Sequence, residues 1–237
     1  MIRTFIFFVL ISFSLAAQST NITASSWLVA KGDGEIIQSE NIYQERSIAS
    51  ITKLMTVMVV LDAGQDLDEY IKPYTRRELI QLAIVHSDNR AAEALCYNYL
   101  SGRENCIRAM NNKARSLGMI NSKFSDPTGL GVMNTSTAYD LIKLVQAAEH
   151  YPEIREASGM SEVKIKIKKK WLIFRNTNPI IGKRHEFVVS KTGWIRASGG
   201  CIVMMLDTDV GRRIVVVLGS KNTHTRIPEA EFIAMNY

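Results

Sequence analysis

Arg46-Ser-Ile-Ala-Ser-Ile-Thr-Lys-Leu-Met-Thr-Val-Met-Val-Val-Leu-Asp-Ala63 is the stretch that decides the architecture. It reads as a helix. Ile51, Leu54, Met55, Val57, Met58, Val59, Val60 and Leu61 cover nearly its whole circumference. A helix apolar all round is buried on all sides, so this one runs through the middle of a domain. Two patterns flank it. Before it, Ser26-Trp-Leu-Val-Ala-Lys31 and Glu35-Ile-Ile-Gln38 enclose Gly32-Asp-Gly34, a hairpin signal. After it, helical periodicities run from Thr75 to His86, from Arg90 to Tyr99, from Ile107 to Leu117 and from Ala138 to His150.

Beyond Pro152 the period changes to two. Val163-Lys-Ile-Lys-Ile-Lys168 alternates, and Glu186 to Lys191, Cys201 to Leu206 and Arg213 to Gly219 are further strand candidates. Thr223 to Ala234 closes the chain as a helix. Strands at both chain ends and helices between them predict an α+β fold. Its antiparallel five-stranded sheet is built from both ends and covered by helices. A helical subdomain is inserted at about residues 64–152.

The length of 237 residues suits one domain, here residues 18–237. Hydrophobic residues at 46% and charged residues at 22% are globular values. The net charge of +6 is a weak pull toward anionic partners. Arg3, the apolar run Phe5 to Leu15 and the small residues Ala16 and Ala17 describe a secretory signal peptide over residues 1–17. The run is shorter than a membrane anchor requires. Export to a periplasmic or other extracytoplasmic compartment is therefore expected. Three cysteines make no disulfide framework. Cys96 and Cys106 are the one close pair, either bridged or buried as free thiols.

Three short motifs carry chemistry. Ser50-Ile-Thr-Lys53 places a serine and a lysine three apart on one helical face, beside the free N–H groups of a helix start. A neutral lysine there takes the serine proton, and the helix end stabilises an oxyanion. Taken alone, the pattern also fits an ordinary helix start. It recurs at Ser161 to Lys164, where a strand keeps the two side chains on different faces. Ser87-Asp-Asn89 lies in a break between two apolar helices, where it fits either a cleft corner or a helix cap. Lys191-Thr-Gly193 ends an apolar strand. Its glycine admits a ligand close to the edge, and its lysine and threonine suit a carboxylate. His86, His150, His185 and His224 are scattered and suggest no metal site. No Gly-x-Ser-x-Gly elbow is present.

In the order Ser-x-x-Lys, Ser-x-Asn, Lys-Thr-Gly, these motifs resemble the penicillin-recognising serine transpeptidases, carboxypeptidases and β-lactamases. Further stretches extend the resemblance. They are Ala49 to Thr56, Ser87 to Ala92, Phe124-Ser-Asp-Pro-Thr-Gly-Leu130, Asn134 to Ala138 and Ser190-Lys-Thr-Gly-Trp194. Together they look like the low-molecular-mass D-alanyl-D-alanine carboxypeptidase family. Asn176-Thr-Asn-Pro179, with Lys191 to Cys201, is most similar to its D-alanyl-D-alanine endopeptidase branch. The similarity spans roughly Ser26 to Gly219.

The resemblance implies a β-lactamase/transpeptidase-like fold and a cofactor-free serine peptidase. Ser50 would be the nucleophile and Lys53 its base, with Lys191 lowering the lysine's proton affinity by like charge. Ser87 and Asn89 would relay the proton and hold the substrate amide. Lys191 and Thr192, with Gly193 and Trp194, would bind the carboxylate beside the scissile bond. The N–H groups of Ser50 and Trp194 would form the oxyanion hole. Implied partners are peptidoglycan stem peptides, with β-lactam antibiotics as covalent inhibitors.

The expected reaction is hydrolysis of D-Ala-D-Xaa bonds in cross-links. The alternatives are trimming of terminal D-alanine, or a non-catalytic penicillin-binding sensor. A β-lactamase ranks low, since none of Glu149, Glu153, Glu156 and Glu162 is followed four residues later by asparagine. The 44 residues after Gly193 leave no room for the second β-domain and amphipathic anchor of many relatives. Lys164 to Lys170 reads as a solvated basic edge strand or as an attractor of anionic wall polymer or lipid head groups. At most a peripheral membrane or wall association is expected, and no nucleic acid.

Overall fold

Five strands pair antiparallel in the order β2-β1-β11-β10-β9 in the computed structural model, which describes residues 21–237. They are β1 (Ser26–Lys31), β2 (Ile36–Glu40), β9 (Glu186–Ile195), β10 (Gly199–Thr208) and β11 (Gly211–Ser220). The first two come from one end of the chain and the last three from the other, as the α+β reading requires. The signal peptide reading falls on residues 1–17, outside the described residues.

Both faces of this sheet are covered, so its central strands are apolar at every position rather than at alternate ones. Along β10, Val203 and Met205 enter the main core with Leu28, Ala30, Ile214 and Val216. Ile202, Met204 and Leu206 enter a second core with Val29, Val215 and Val217. The helix α7 (Arg226–Asn236) closes that second core with Ile227, Ala230, Ile233 and Ala234.

Between the two groups of strands lie β3 (Arg46–Ser47), a 3₁₀ turn (Ala49–Ile51), α1 (Thr52–Asp62), β4 (Tyr70–Ile71), β5 (Tyr74–Thr75), α2 (Arg76–Val85), α3 (Asn89–Tyr97), α4 (Arg103–Ser116), β6 (Thr135–Ser136), α5 (Ala138–Ala148), α6 (Pro152–Gly159), β7 (Glu162–Ile167) and β8 (Lys170–Arg175). Helix α1 is the central helix. Every residue from Thr52 to Val60 is buried, and it packs against α2, α3, α4 and α5. A complete capping box starts α2: Thr75 accepts from the Glu78 N–H and Glu78 accepts from the Thr75 N–H. A disulfide joins Cys96 on α3 to Cys106 on α4 across a Cα separation of 5.3 Å, while Cys201 is a buried free thiol.

Three readings change. The helix predicted from Arg46 begins only at Thr52, because Arg46 and Ser47 pair with Ser136 and Thr135 and the chain then turns through Ala49. Secondly, α6 is a helix the periodicity did not reveal; eight residues led by proline carry too little pattern. Finally, the basic strand β7 is no edge of the main sheet. It pairs only with β8 as a separate hairpin, with Val163 and Ile165 buried beneath it.

Leu54 is fully buried in α1 and belongs to the main core. Leu54→Ala is expected to lower unfolding free energy by about 2–5 kcal/mol, read as a lower denaturant midpoint with an unchanged slope.

Candidate active site

Ser50 sits in the 3₁₀ turn that leads into α1, and Lys53 is one turn later in α1 itself. The Lys53 side chain is fully buried. Its Nζ lies 2.8 Å from Ser50 Oγ, 2.7 Å from Asn89 Oδ1 and 2.7 Å from the Thr128 carbonyl oxygen. The chemistry of these partners allows the amine to work without its third proton. The Asn89 and Thr128 oxygens only accept hydrogen bonds, whereas the serine hydroxyl also donates. A neutral Lys53 amine gives its two hydrogens to the two carbonyl oxygens and offers its lone pair to the Ser50 proton.

Burial is what makes the neutral amine accessible. Desolvation outweighs the pull of the Asp126 and Asp88 carboxylates and lowers the Lys53 pKa to about 7. Burial is thus the first cause of the low Lys53 value. Lys191, itself buried, is pushed well below the ordinary lysine value first by burial and then by the like charges of Lys53 and Arg226.

The loop between α4 and β6 supplies the Thr128 carbonyl, and its shape is set by hydrogen bonds. Asp126 Oδ1 accepts from the N–H groups of Thr128 and Gly129, each at 2.8 Å, and from the Thr128 hydroxyl at 2.6 Å. Burial alone would raise the Asp126 pKa, but these bonds and one from the Gly131 N–H hold it below the ordinary value. Fully buried Asn134 ties the loop together and to α1. Its Oδ1 accepts from the Ser125 N–H and hydroxyl, while its Nδ2 donates to Thr52 Oγ1 and the Asp126 carbonyl. Thr56 adds a 2.8 Å bond to the Pro127 carbonyl. At Gly129 (φ 79°) a Cβ would lie 1.9 Å from the Ala49 carbonyl oxygen, so only glycine lets the loop press against the Ser50 turn.

The Ser87-Asp88-Asn89 corner divides its work unlike a simple cap. Asp88 is the cap of α3, accepting from the Ala91 N–H at 2.8 Å. That leaves Asn89, the first residue of α3, to meet Lys53. Ser87 holds a φ of 59°, a strained conformation for a serine. It is half-buried and makes no hydrogen bond to Ser50 or Lys53 among the described residues.

The third motif lies within edge strand β9 rather than at its end. A Cβ on Gly193 would lie 2.9 Å from the Ile48 carbonyl oxygen and 3.0 Å from the Ser50 nitrogen, so the strand backbone closes directly on the Ser50 turn. Lys191 Nζ donates to the Thr192 carbonyl, and Thr192 Oγ1 donates to Thr177 Oγ1 at 2.6 Å. The Thr177 N–H in turn donates to the Val85 carbonyl at the end of α2. Arg226 of α7, buried behind the strand, donates to the Gly193 carbonyl at 2.6 Å. Trp194 is half exposed at the next position.

Of the residues named from the sequence, Ser50, Lys53 and Asn89 meet through hydrogen bonds and Gly193 closes on the Ser50 turn, whereas Ser87 bonds to neither Ser50 nor Lys53 among the described residues. Those that hold the site in shape were not named. Asp126, Thr128 and Thr177 sit in stretches the sequence reading quoted, and the turn chemistry of Ser125 to Gly129 was a usable signal. Arg226 had none, because only the packing of α7 brings it behind β9.

A half-buried serine at the entry of a central helix, paired with a buried lysine one turn on, cornered by an asparagine and closed by a Lys-Thr-Gly edge strand, defines a penicillin-recognising serine peptidase fold. The comparisons agree. The family model described as peptidase S11, D-alanyl-D-alanine carboxypeptidase, matches residues 13–72 and 67–222. The D-alanyl-D-alanine endopeptidase of Escherichia coli (strain K12) is 36% identical over 238 residues, covering 91% of this chain and 77% of that protein. The enzyme of the same name from Pseudomonas aeruginosa is 34% identical over 239 residues, with the same coverage. Among solved structures, penicillin-binding protein D2 of Listeria monocytogenes in a cefotaxime-bound form aligns with a TM-score of 0.79 and 25% identity, over 90% of this chain and 96% of that one. A serine-to-alanine variant of the Streptomyces K15 DD-transpeptidase aligns with a TM-score of 0.83 and 25% identity over the same shares.

This chain belongs to the D-alanyl-D-alanine carboxypeptidase family of serine peptidases. It is a serine-type D-Ala-D-Ala peptidase.

The Lys53 environment predicts a pH dependence. Acylation by a penicillin, measured as the second-order rate, rises with pH through an apparent pKa of about 7 as Lys53 loses its proton. Stability has the same sign. Between about 7 and the unfolded value of ~10.4 the unfolded chain holds a proton at Lys53 that the folded chain lacks. This group's contribution to stability therefore rises with pH across that window.

Proposed function

We propose that the chain is an exported peptidoglycan endopeptidase that cuts D-Ala-D-Xaa cross-links through an acyl-enzyme on Ser50. The observation that carries this is the buried Lys53 amine within 2.8 Å of Ser50 Oγ, whose other two partners are acceptors only. Ser50 Oγ attacks the carbonyl carbon of the penultimate D-alanine while Lys53 takes its proton. The N–H groups of Ser50 and Trp194 stabilise the oxyanion, at the place where Gly193 lets strand and turn close together. The proton passes from Lys53 to the leaving amine, with Ser87 and Asn89 beside the path. Water then attacks the acyl-enzyme, releasing the stem carboxylate and regenerating the Ser50 hydroxyl.

Lys191 and Thr192 bind the carboxylate beside the scissile bond. In the free enzyme Lys191 is held toward its neutral form by burial and two neighbouring cations. An arriving carboxylate favours the charged form instead. A hollow of about 410 Å³ lined in part by Asn89, Asp126, Thr128 and Leu130 gives the acyl side of the stem peptide a place next to Lys53. The preference for cross-links over terminal D-alanine rests on the endopeptidases among the relatives. The signal peptide over residues 1–17 and a periplasmic site of action complete the reading, with residues 18–237 as the peptidase domain.

Cross-linked muropeptide dimers incubated with the mature protein and followed by mass spectrometry test it. The expected product is monomers of unshortened stem length. Loss of terminal D-alanine alone would make the enzyme a carboxypeptidase. No change in either, with penicillin still labelling Ser50, would leave a sensor. Ser50→Ala is expected to abolish labelling without unfolding the chain, and normal labelling of that variant would remove Ser50 from its role. Lys53→Ala is expected to slow acylation by roughly 10²–10⁴-fold.

A further inference from the structure

The β7–β8 hairpin takes no part in the chemistry above, yet it carries an unusual surface. Lys164, Lys166, Lys168, Lys169 and Lys170 crowd its strands and turn, and all are exposed. Lys164 pairs with Glu162. The other four have no carboxylate partner among the described residues, and residues 1–20 contain no acidic side chain. Beside them stand three consecutive large apolar residues in the open: Trp171 at 64% exposure, Leu172 at 40% and Ile173 at 56%.

Register puts Lys164, Lys166, Trp171 and Ile173 together on one face. Lys164 lies across from Ile173 and Lys166 from Trp171, with the Lys166 ammonium 5.8 Å from the Trp171 ring centre. Leu172 projects to the other face, across from Ile165. A hollow of about 620 Å³ lies under the turn, lined by Ile167, Lys168, Lys169, Lys170 and Leu172. The base of the hairpin, by contrast, is anchored: Val163 and Ile165 are buried, and Phe174 packs edge-on against His86.

We infer that the tip of this hairpin is a docking wedge for an anionic phospholipid surface. Two features select lipid over a sugar polymer. A saccharide stacks on one face of an aromatic ring, whereas here apolar side chains emerge on both faces, as suits a medium that surrounds the tip. The unpaired lysines ring those side chains at the level where anionic head groups would lie, the arrangement of interfacial anchors. No helix of the described residues is long and apolar enough to span a membrane, so such a contact would be peripheral.

The hairpin also fixes where the site would stand. Strand β8 runs from the tip into Asn176 and Thr177, the partner of Thr192. Six strand residues at about 3.3 Å each hold the cleft roughly 20 Å from the head groups. The docked enzyme would thus work on wall close to the membrane.

Co-sedimentation of the mature protein with vesicles tests this. Phosphatidylglycerol/phosphatidylethanolamine vesicles are compared with phosphatidylcholine alone, and with insoluble peptidoglycan sacculi as a parallel arm. Expected is binding to the anionic vesicles at least tenfold above phosphatidylcholine, reversed by 0.5 M salt, at about the Debye length of 4 Å. Replacing Lys166, Lys169 and Lys170 by Gln should weaken partitioning on the order of 100-fold, at about fivefold per lysine. The double variant Trp171→Ser with Ile173→Ser should weaken it at least tenfold. Unchanged penicillin labelling of Ser50 in each variant shows that the fold and site persist. Equal binding to both vesicle types, or no loss in either variant, would overturn the inference. So would sacculus binding that the variants abolish while vesicle binding is absent, which would assign the hairpin to the wall polymer.

Discussion

The burial of one amine organises this protein. Lys53 has no exposed surface, and a lysine so placed survives only if its polar atoms are matched and its proton is easily given up. The rest of the structure around it can be read as meeting those two conditions. Helix α1 is apolar on every side because it must run through the core to carry Lys53 there. The loop from Ser125 to Asn134 is held tightly by Asp126 and Asn134 because it delivers a carbonyl oxygen to the amine. The corner before α3 assigns its capping to Asp88 so that Asn89 can deliver the other.

The same balance explains the charge around the cleft. Asp126 and Asp88 lie close enough to raise the Lys53 pKa, and burial lowers it further than they raise it. The result near neutrality is a base that is available yet still able to return its proton. Lys191 on the edge strand and Arg226 behind it are both held below their ordinary values, first of all by burial. The strain at Ala49 and Ser87, both at positive φ, sits at the two turns that present the motifs. Both turns are held from outside, one by Gly129 and Gly193 pressing on Ser50, the other by the cap and by the chain's return through Thr177.

Much of this was legible in the order of residues. The apolar circumference of α1 specified a central helix, and the apolar runs near the end of the chain specified buried strands. The three motifs, in their order, named a reaction class before any coordinates. Other parts were not legible for physical reasons. Arg46 and Ser47 look helical locally, but a bridge to Ser136 and Thr135 from far along the chain competes successfully for them. The alternating lysines of β7 gave the strand but not its partner, since period two does not distinguish a sheet edge from a separate hairpin. Spacing left the cysteines open until the packing of α3 against α4 brought Cys96 and Cys106 together.

The sequence by itself therefore determined the central helix, the strands of the main sheet and the serine and lysine that share one face, because these rest on local periodicity and on side-chain chemistry three residues apart. The tertiary structure decided the electrostatics. Whether Lys53 is a charge or a base depends on solvent exclusion and on atoms contributed from residues 88, 89, 126 and 128, none near it in the chain. It also decided which groups stand behind the motifs. Thr177 reaches Thr192 and Arg226 reaches Gly193 only once the sheet is closed by strands and a helix from the far end of the chain.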